Sequence, residues 1–167
     1  MACVGNIDAD AANAQPRLWL EDLTPGRKFH FGDYRVTREE VIEFAARYDP
    51  QPYHLDDAAA AANPAFGRLC ASGMHTMAMA HRLQMGGFRD IGLHPVAGAG
   101  MDELRMQRPV FPGDILRIEV EITDTRPLRS RPEHGLLQYL TTTRNQSDEV
   151  IMTYRSTLIM DRRPAWN

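Results

Sequence analysis

Two prolines in the run Asp49-Pro50-Gln51-Pro52-Tyr53-His54 constrain this chain more than any other feature. Upstream, Thr37-Arg38-Glu39-Glu40 reads as a capping box. Val41, Phe44, Ala45 and Tyr48 follow at helical spacing, so one apolar helix face runs directly to Asp49. Pro50 and Pro52 forbid its continuation: they remove two backbone donors and bias Asp49 and Gln51 away from the α region. On an unbroken helix two residues five apart lie about 140° apart. In the extended or turned segment that the prolines impose, Asp49 and His54 can instead face one another. A carboxylate and an imidazole held side by side outside regular structure are a candidate acid/base pair.

The remainder of the chain supplies a frame for that bend. After the turn signal Thr24-Pro25-Gly26, a strand is expected over Arg27 to Val36. Asp56 to Ala62 reads as a short alanine-rich helix stopped by Asn63-Pro64. Ser72 is an N-cap for a helix running to Met85 and ended by Gly86-Gly87; Met74, Met77, Met79, Leu83 and Met85 make it apolar over much of its circumference. Met74, Met77 and Met85 are assigned to the core. Ile115 to Thr123 alternates, with Leu116, Ile118, Val120 and Ile122 on one face and Arg117, Glu119 and Glu121 on the other. Gly135 to Arg144 and Glu149 to Met160 read as strands flanking a turn at Asn145 to Asp148, and Val96 to Met106 holds one or two more. Arg126 to Pro132 is the expected long mobile loop. A helical preamble, one buried helix and consecutive long strands describe an α+β domain whose antiparallel sheet curls round its helix.

Length and charge close off other classes. A chain of 167 residues, 43% hydrophobic, suits one globular domain; it is expected over 18–167, after a disordered extension at 1–17. A formal net charge of −3 provides no broad basic surface for nucleic acid. No apolar run approaches a membrane span, and the first residues lack the basic and apolar regions of a signal peptide. Cys3 and Cys70 have neither disulfide-framework nor zinc spacing, which fits a reducing, cytoplasmic location. His75 and His81 are read as satisfying core or interface hydrogen bonds, with no metal site, and Gly98-Ala99-Gly100 as a strand end rather than a dinucleotide motif.

Four separated stretches occur in an order that resembles a known family. Asp49 to His54, Phe66-Gly67-Arg68, Ala71-Ser72-Gly73-Met74-His75-Thr76 and Arg108-Pro109-Val110-Phe111-Pro112-Gly113-Asp114 are similar to the motifs of MaoC-like acyl dehydratases, the (R)-specific enoyl-CoA hydratases of hotdog fold. The resemblance runs from Leu20 to Met160. It implies that Asp49 and His54 activate the water added to C3 of an enoyl thioester and supply the proton to C2. It implies that the Gly73 backbone N–H holds the thioester carbonyl, and that Gln51, Phe66, Ser72 and Met74 contact substrate. Gln51 is a departure: the better-characterised hydratases carry Asn there. The family further implies a coenzyme A thioester as substrate, no metal or redox cofactor, and a homodimer with a sheet continuous across subunits. Arg126, Arg129 and Arg131 are candidates for the coenzyme A phosphates. The physical chemistry agrees, because hydration builds negative charge on the thioester oxygen and a free amide at a helix N-terminus meets it without reorganisation. Two alternatives stand beside this reading: a hotdog thioesterase, in which the same carboxylate directs water at the carbonyl carbon, and a non-catalytic acyl-thioester binding subunit.

Overall fold

The computed structural model describes residues 16–164. Of the extension expected at 1–17, only Pro16 and Arg17 fall in that range; the rest, with Cys3, lies outside the described residues. Arg17 is ion-paired with Asp161, and Leu18 bridges to Leu93, so the chain is tied down from there onward.

Five strands form one antiparallel sheet in the order β1-β3-β4-β5-β2: β1 (Lys28–Arg35), β2 (Ala97–Met106), β3 (Ile115–Pro127), β4 (His134–Arg144) and β5 (Val150–Asp161). The helices are α1 (Arg38–Tyr48), α2 (Pro52–Leu55), α3 (Asp57–Ala62) and α4 (Gly73–Asp90). Alternation puts Leu116, Ile118, Val120 and Ile122 of β3, and Leu137 and Tyr139 of β4, in one core with Met79, Ala80 and Phe88 of α4. Each fully buried Leu or Ile there contributes about 1.5–3 kcal/mol. One polar cross-tie crosses this interface. Gln84 of α4 is fully buried; its Nε2 donates to Tyr139 Oη at 2.5 Å and its Oε1 accepts from Tyr154 Oη at 2.7 Å. The helix is thus pinned to β4 and β5 with its amide satisfied. The architecture is the α+β hotdog arrangement, an antiparallel sheet about a central helix.

Several local expectations change. The helix expected to stop at Gly86-Gly87 continues to Asp90. A Cβ on Gly87 would lie 2.1 Å from the Phe31 ring, so this glycine admits β1 against the helix rather than ending it. Phe88, edge-on to Phe31 at 6.0 Å, then anchors the last turn. Of the two courses open to the proline segment, extended or turned, it takes the turn: Pro52 occupies the first position of α2, where a missing N–H costs nothing. The loop expected over Arg126 to Pro132 begins later, because β3 continues to Pro127, which pairs with Gly135. Gly98 and Gly100 lie inside β2, at a register shift, rather than ending a strand. Met77 and Met85 are partly buried against the core, but Met74 is 60% exposed, since it projects from the arc of α4 opposite Thr76 and Gly87. No helix among the described residues is long and apolar enough to cross a membrane.

Candidate active site

The bend is built as the residues require. Glu40 N–H donates to Thr37 Oγ1 at 3.3 Å while Thr37 N–H donates to Glu40 Oε1 at 3.0 Å, closing the capping box of α1. At the other end Asp49 caps the helix, its N–H donating to Ala45 O at 3.0 Å, and Gln51 N–H then donates to Asp49 O at 2.7 Å. That reversal, followed by the single turn of α2, carries His54 back beside Asp49. The gap between His54 Nε2 and Asp49 Oδ2 is 3.7 Å.

Two contacts that neighbouring sequence does not reveal set the chemistry of this pair. His54 Nδ1 lies 2.7 Å from Cys70 O, and a carbonyl can only accept, so Nδ1 carries the proton and Nε2 presents its lone pair. Ser72 Oγ donates to Asp49 Oδ2 at 2.6 Å and accepts the Met74 N–H at 3.2 Å. One fully buried hydroxyl therefore caps α4 and fixes the carboxylate. Nε2 and Oδ2 are then two acceptors too far apart to bond directly, at a spacing a single water can bridge by donating to both.

A cavity of 340 Å³ opens beside the pair, lined among others by Tyr53, His54, Phe66, Gly73, Thr76 and Met106. Its surface is mainly apolar. Tyr53 stands edge-on to His54 at 4.5 Å and tilts against Phe66 at 5.0 Å, forming an aromatic wall. The Gly73 amide is the first of α4 and has no acceptor within the helix. A Cβ there would come within 3.3 Å of Met106 Cε, so the missing side chain keeps this corner open.

Of the residues singled out in the sequence, His54, Phe66 and Gly73 line the cavity, whereas Asp49, Gln51, Ser72 and Met74 do not. Asp49 reaches it through His54 and is locked by Ser72. Gln51 is exposed and its side chain makes no cap bond. Met74 faces out. Met106 and Tyr53, which the sequence did not mark as substrate contacts, are part of the wall; β2 has no clean alternation that would have shown Met106 reaching α4. Burial pushes the Cys70 thiol up to about 11, so the sulfur 3.6 Å from His54 Nδ1 stays protonated and inert.

The two other histidines on α4 part company. His81 is exposed, while His75 is 5% exposed, with Nδ1 unpartnered and its ring stacked on Phe44 at 4.6 Å. Among the described residues no core hydrogen bond meets this Nδ1, and the ring is held instead by stacking. Burial holds its pKa below the usual histidine value, with the Glu40 charge opposing the shift. Arg126, Arg129 and Arg131 are not among the residues lining the cavity.

Comparison with known proteins gives a consistent result. Residues 21–145 match the family model described as MaoC like domain. The uncharacterized protein YdeM of Bacillus subtilis is 31% identical over 144 residues, covering 86% of this chain and 99% of that protein. The crystal structure of the MaoC-like dehydratase from Rhodospirillum rubrum is 37% identical, with a TM-score of 0.79 over 89% of this chain and 99% of that one. The (R)-hydratase from A. caviae involved in PHA biosynthesis is 27% identical, with a TM-score of 0.67 over 86% and 99% respectively.

Proposed function

The chain belongs to the MaoC-like dehydratase family, and from that premise we propose that it adds water to a trans-2-enoyl-CoA to give the (R)-3-hydroxyacyl-CoA, and runs the reverse dehydration. The observation that carries this reading is the pairing of Nε2 and Oδ2, two acceptors 3.7 Å apart, beside an apolar cavity whose far corner is the first amide of α4. A bridging water donates to both acceptors. As its oxygen bonds to C3, one O–H bond breaks and His54 Nε2 takes the proton. The C2=C3 electron pair moves toward the thioester oxygen, where the Gly73 N–H meets the developing charge. The proton then passes from the imidazolium to C2, and the site returns to its starting state. Asp49 stabilises the imidazolium while it exists, and Ser72 keeps Oδ2 aimed. General base catalysis of this kind contributes about 10²–10⁴ in rate. The chemistry calls for no metal or redox cofactor. Cys70, a free buried thiol, suits the reducing cytoplasm in which such a protein works.

The same reading makes the protein a homodimer. β2 is an edge strand exposed along nearly all its length, and Val96, Met101 and Met106 are among the exposed large hydrophobic residues. Such an edge invites pairing with a second copy into one continuous sheet. A panel of enoyl-CoA substrates of graded chain length tests the reaction class. Loss of enoyl absorbance without release of free thiol supports hydration. Free thiol in step with substrate loss identifies the thioesterase instead, and saturable binding with no turnover on any member identifies a non-catalytic binding subunit.

A further inference from the structure

A second cavity, remote from the bend, lies between β1 and the C-terminal half of α4. Its volume is 710 Å³, and Tyr34, Arg35, Arg82, Gly86, Gly87 and Asp90 are among its lining. Its charges are unevenly matched. Asp33 is bound to Arg117 at 2.5 Å, Glu40 accepts from Tyr34 Oη at 2.8 Å and from Thr37 N–H, and Asp90 accepts from Arg89 at 3.3 Å. Asp33 and Asp90 are thus paired with arginines outside the lining, while Glu40 is held by a phenol on the same wall and a backbone amide. Among the described residues Arg35 and Arg82 form no ion pair, and both line the cavity together with Tyr34.

The floor carries the second observation. Glycine inside a helix costs about 1 kcal/mol relative to alanine, so its place in the packing is worth accounting for. Gly87 has its reason in the Phe31 ring. Gly86 has none within the protein, since a Cβ there would meet nothing within 4 Å. Its absent side chain enlarges the cavity and does nothing else that packing requires. A cavity of this size is within the range of small-molecule sites, and its polar walls do not suit an acyl chain.

We propose that this cavity is a second ligand site, for a small phosphate-bearing anion held by the Arg35 and Arg82 guanidinium groups over the open floor at Gly86. Two unpaired guanidinium forks match phosphate oxygens in geometry and charge. The site is independent of the acyl-thioester cavity and of the reaction assigned to it, and its test requires no turnover.

Calorimetric titration of the full chain with inorganic phosphate, inorganic pyrophosphate and ADP, at fixed low ionic strength, reads the site directly. The expected result is one saturable site. Arg82→Gln weakens it by about tenfold or more. Gly86→Leu abolishes it while the melting temperature stays level or rises, because leucine favours the helix. ADP binding tighter than pyrophosphate marks a nucleotide ligand, and equal binding marks a bare phosphate group. No binding of any probe at millimolar concentration, binding that Arg82→Gln weakens by less than about tenfold, or binding that persists in Gly86→Leu overturns the assignment.

Discussion

Replacing Ser72 by alanine deletes one oxygen that serves two structures at once. As N-cap of α4 its bond to the Met74 N–H is worth about 1 kcal/mol. As donor to the Asp49 carboxylate at 2.6 Å it makes a charge-assisted bond, a class worth about 1.5–3 kcal/mol when fully desolvated. The Asp49 side chain is 30% exposed, so water recovers part of that second contribution and the lower end applies. The sum is about 2.5 kcal/mol, which for a chain of this size lowers Tm by about 5–10 °C. The effect on turnover should be larger than the effect on folding suggests. A carboxylate free to rotate no longer faces Nε2, and misplacement on the order of 1 Å costs about 10²-fold in rate. The assay is a double-mutant cycle on kcat for enoyl-CoA hydration with Ser72→Ala and Asp49→Asn. If Ser72 acts by positioning Asp49, its removal costs little once Asp49 is already asparagine. Fully additive losses in the double variant would refute the reasoning, as would Ser72→Ala lowering Tm while leaving kcat intact.

Two adjacent glycines in α4 should respond in opposite directions. Gly87→Ala drives a methyl into the Phe31 ring and should cost about 3 kcal/mol or more, whereas Gly86→Ala should gain up to about 1 kcal/mol; chemical denaturation of both variants settles the contrast. His75 should make stability depend on pH. Its folded pKa is depressed by burial, so below the ordinary histidine value of about 6.5 the unfolded chain binds a proton that the folded chain resists, and stability falls as pH falls. His75→Leu should flatten the Tm profile between pH 7 and 5; identical slopes in the two proteins would contradict this.

Periodic segments were the legible part of this chain. The alternation of β3 and the capping box at Thr37 and Glu40 appear in the structure within a residue or two of where the sequence puts them, because local residues alone determine them. Long-range packing decided the rest. Gly86-Gly87 carries a stop signal by propensity, yet Phe31 from β1 and the burial of Phe88 hold the helix past it. The strand pairing that carries β3 to Pro127 is a property of two segments, invisible in one. At the site, the prolines announce that Asp49 and His54 leave the helix. What orients each of them, the Cys70 carbonyl and the Ser72 hydroxyl, comes from 16 and 23 residues away in the chain. Ser72 could be read as a helix cap but not as a partner of Asp49, since its second bond requires the bend and α4 to be placed together.

The decisive measurement is kcat/KM for hydration of whichever enoyl-CoA of the graded panel turns over fastest, by the wild-type protein, Asp49→Ala and His54→Ala, each first verified as folded by near-ultraviolet circular dichroism. The proposed chemistry requires turnover in the wild type and a loss of about 10²–10⁴ in each variant, with the native spectrum retained. A folded variant of either kind that keeps its rate within about tenfold of wild type would show that water is activated elsewhere, and would remove Asp49 and His54 from the reaction.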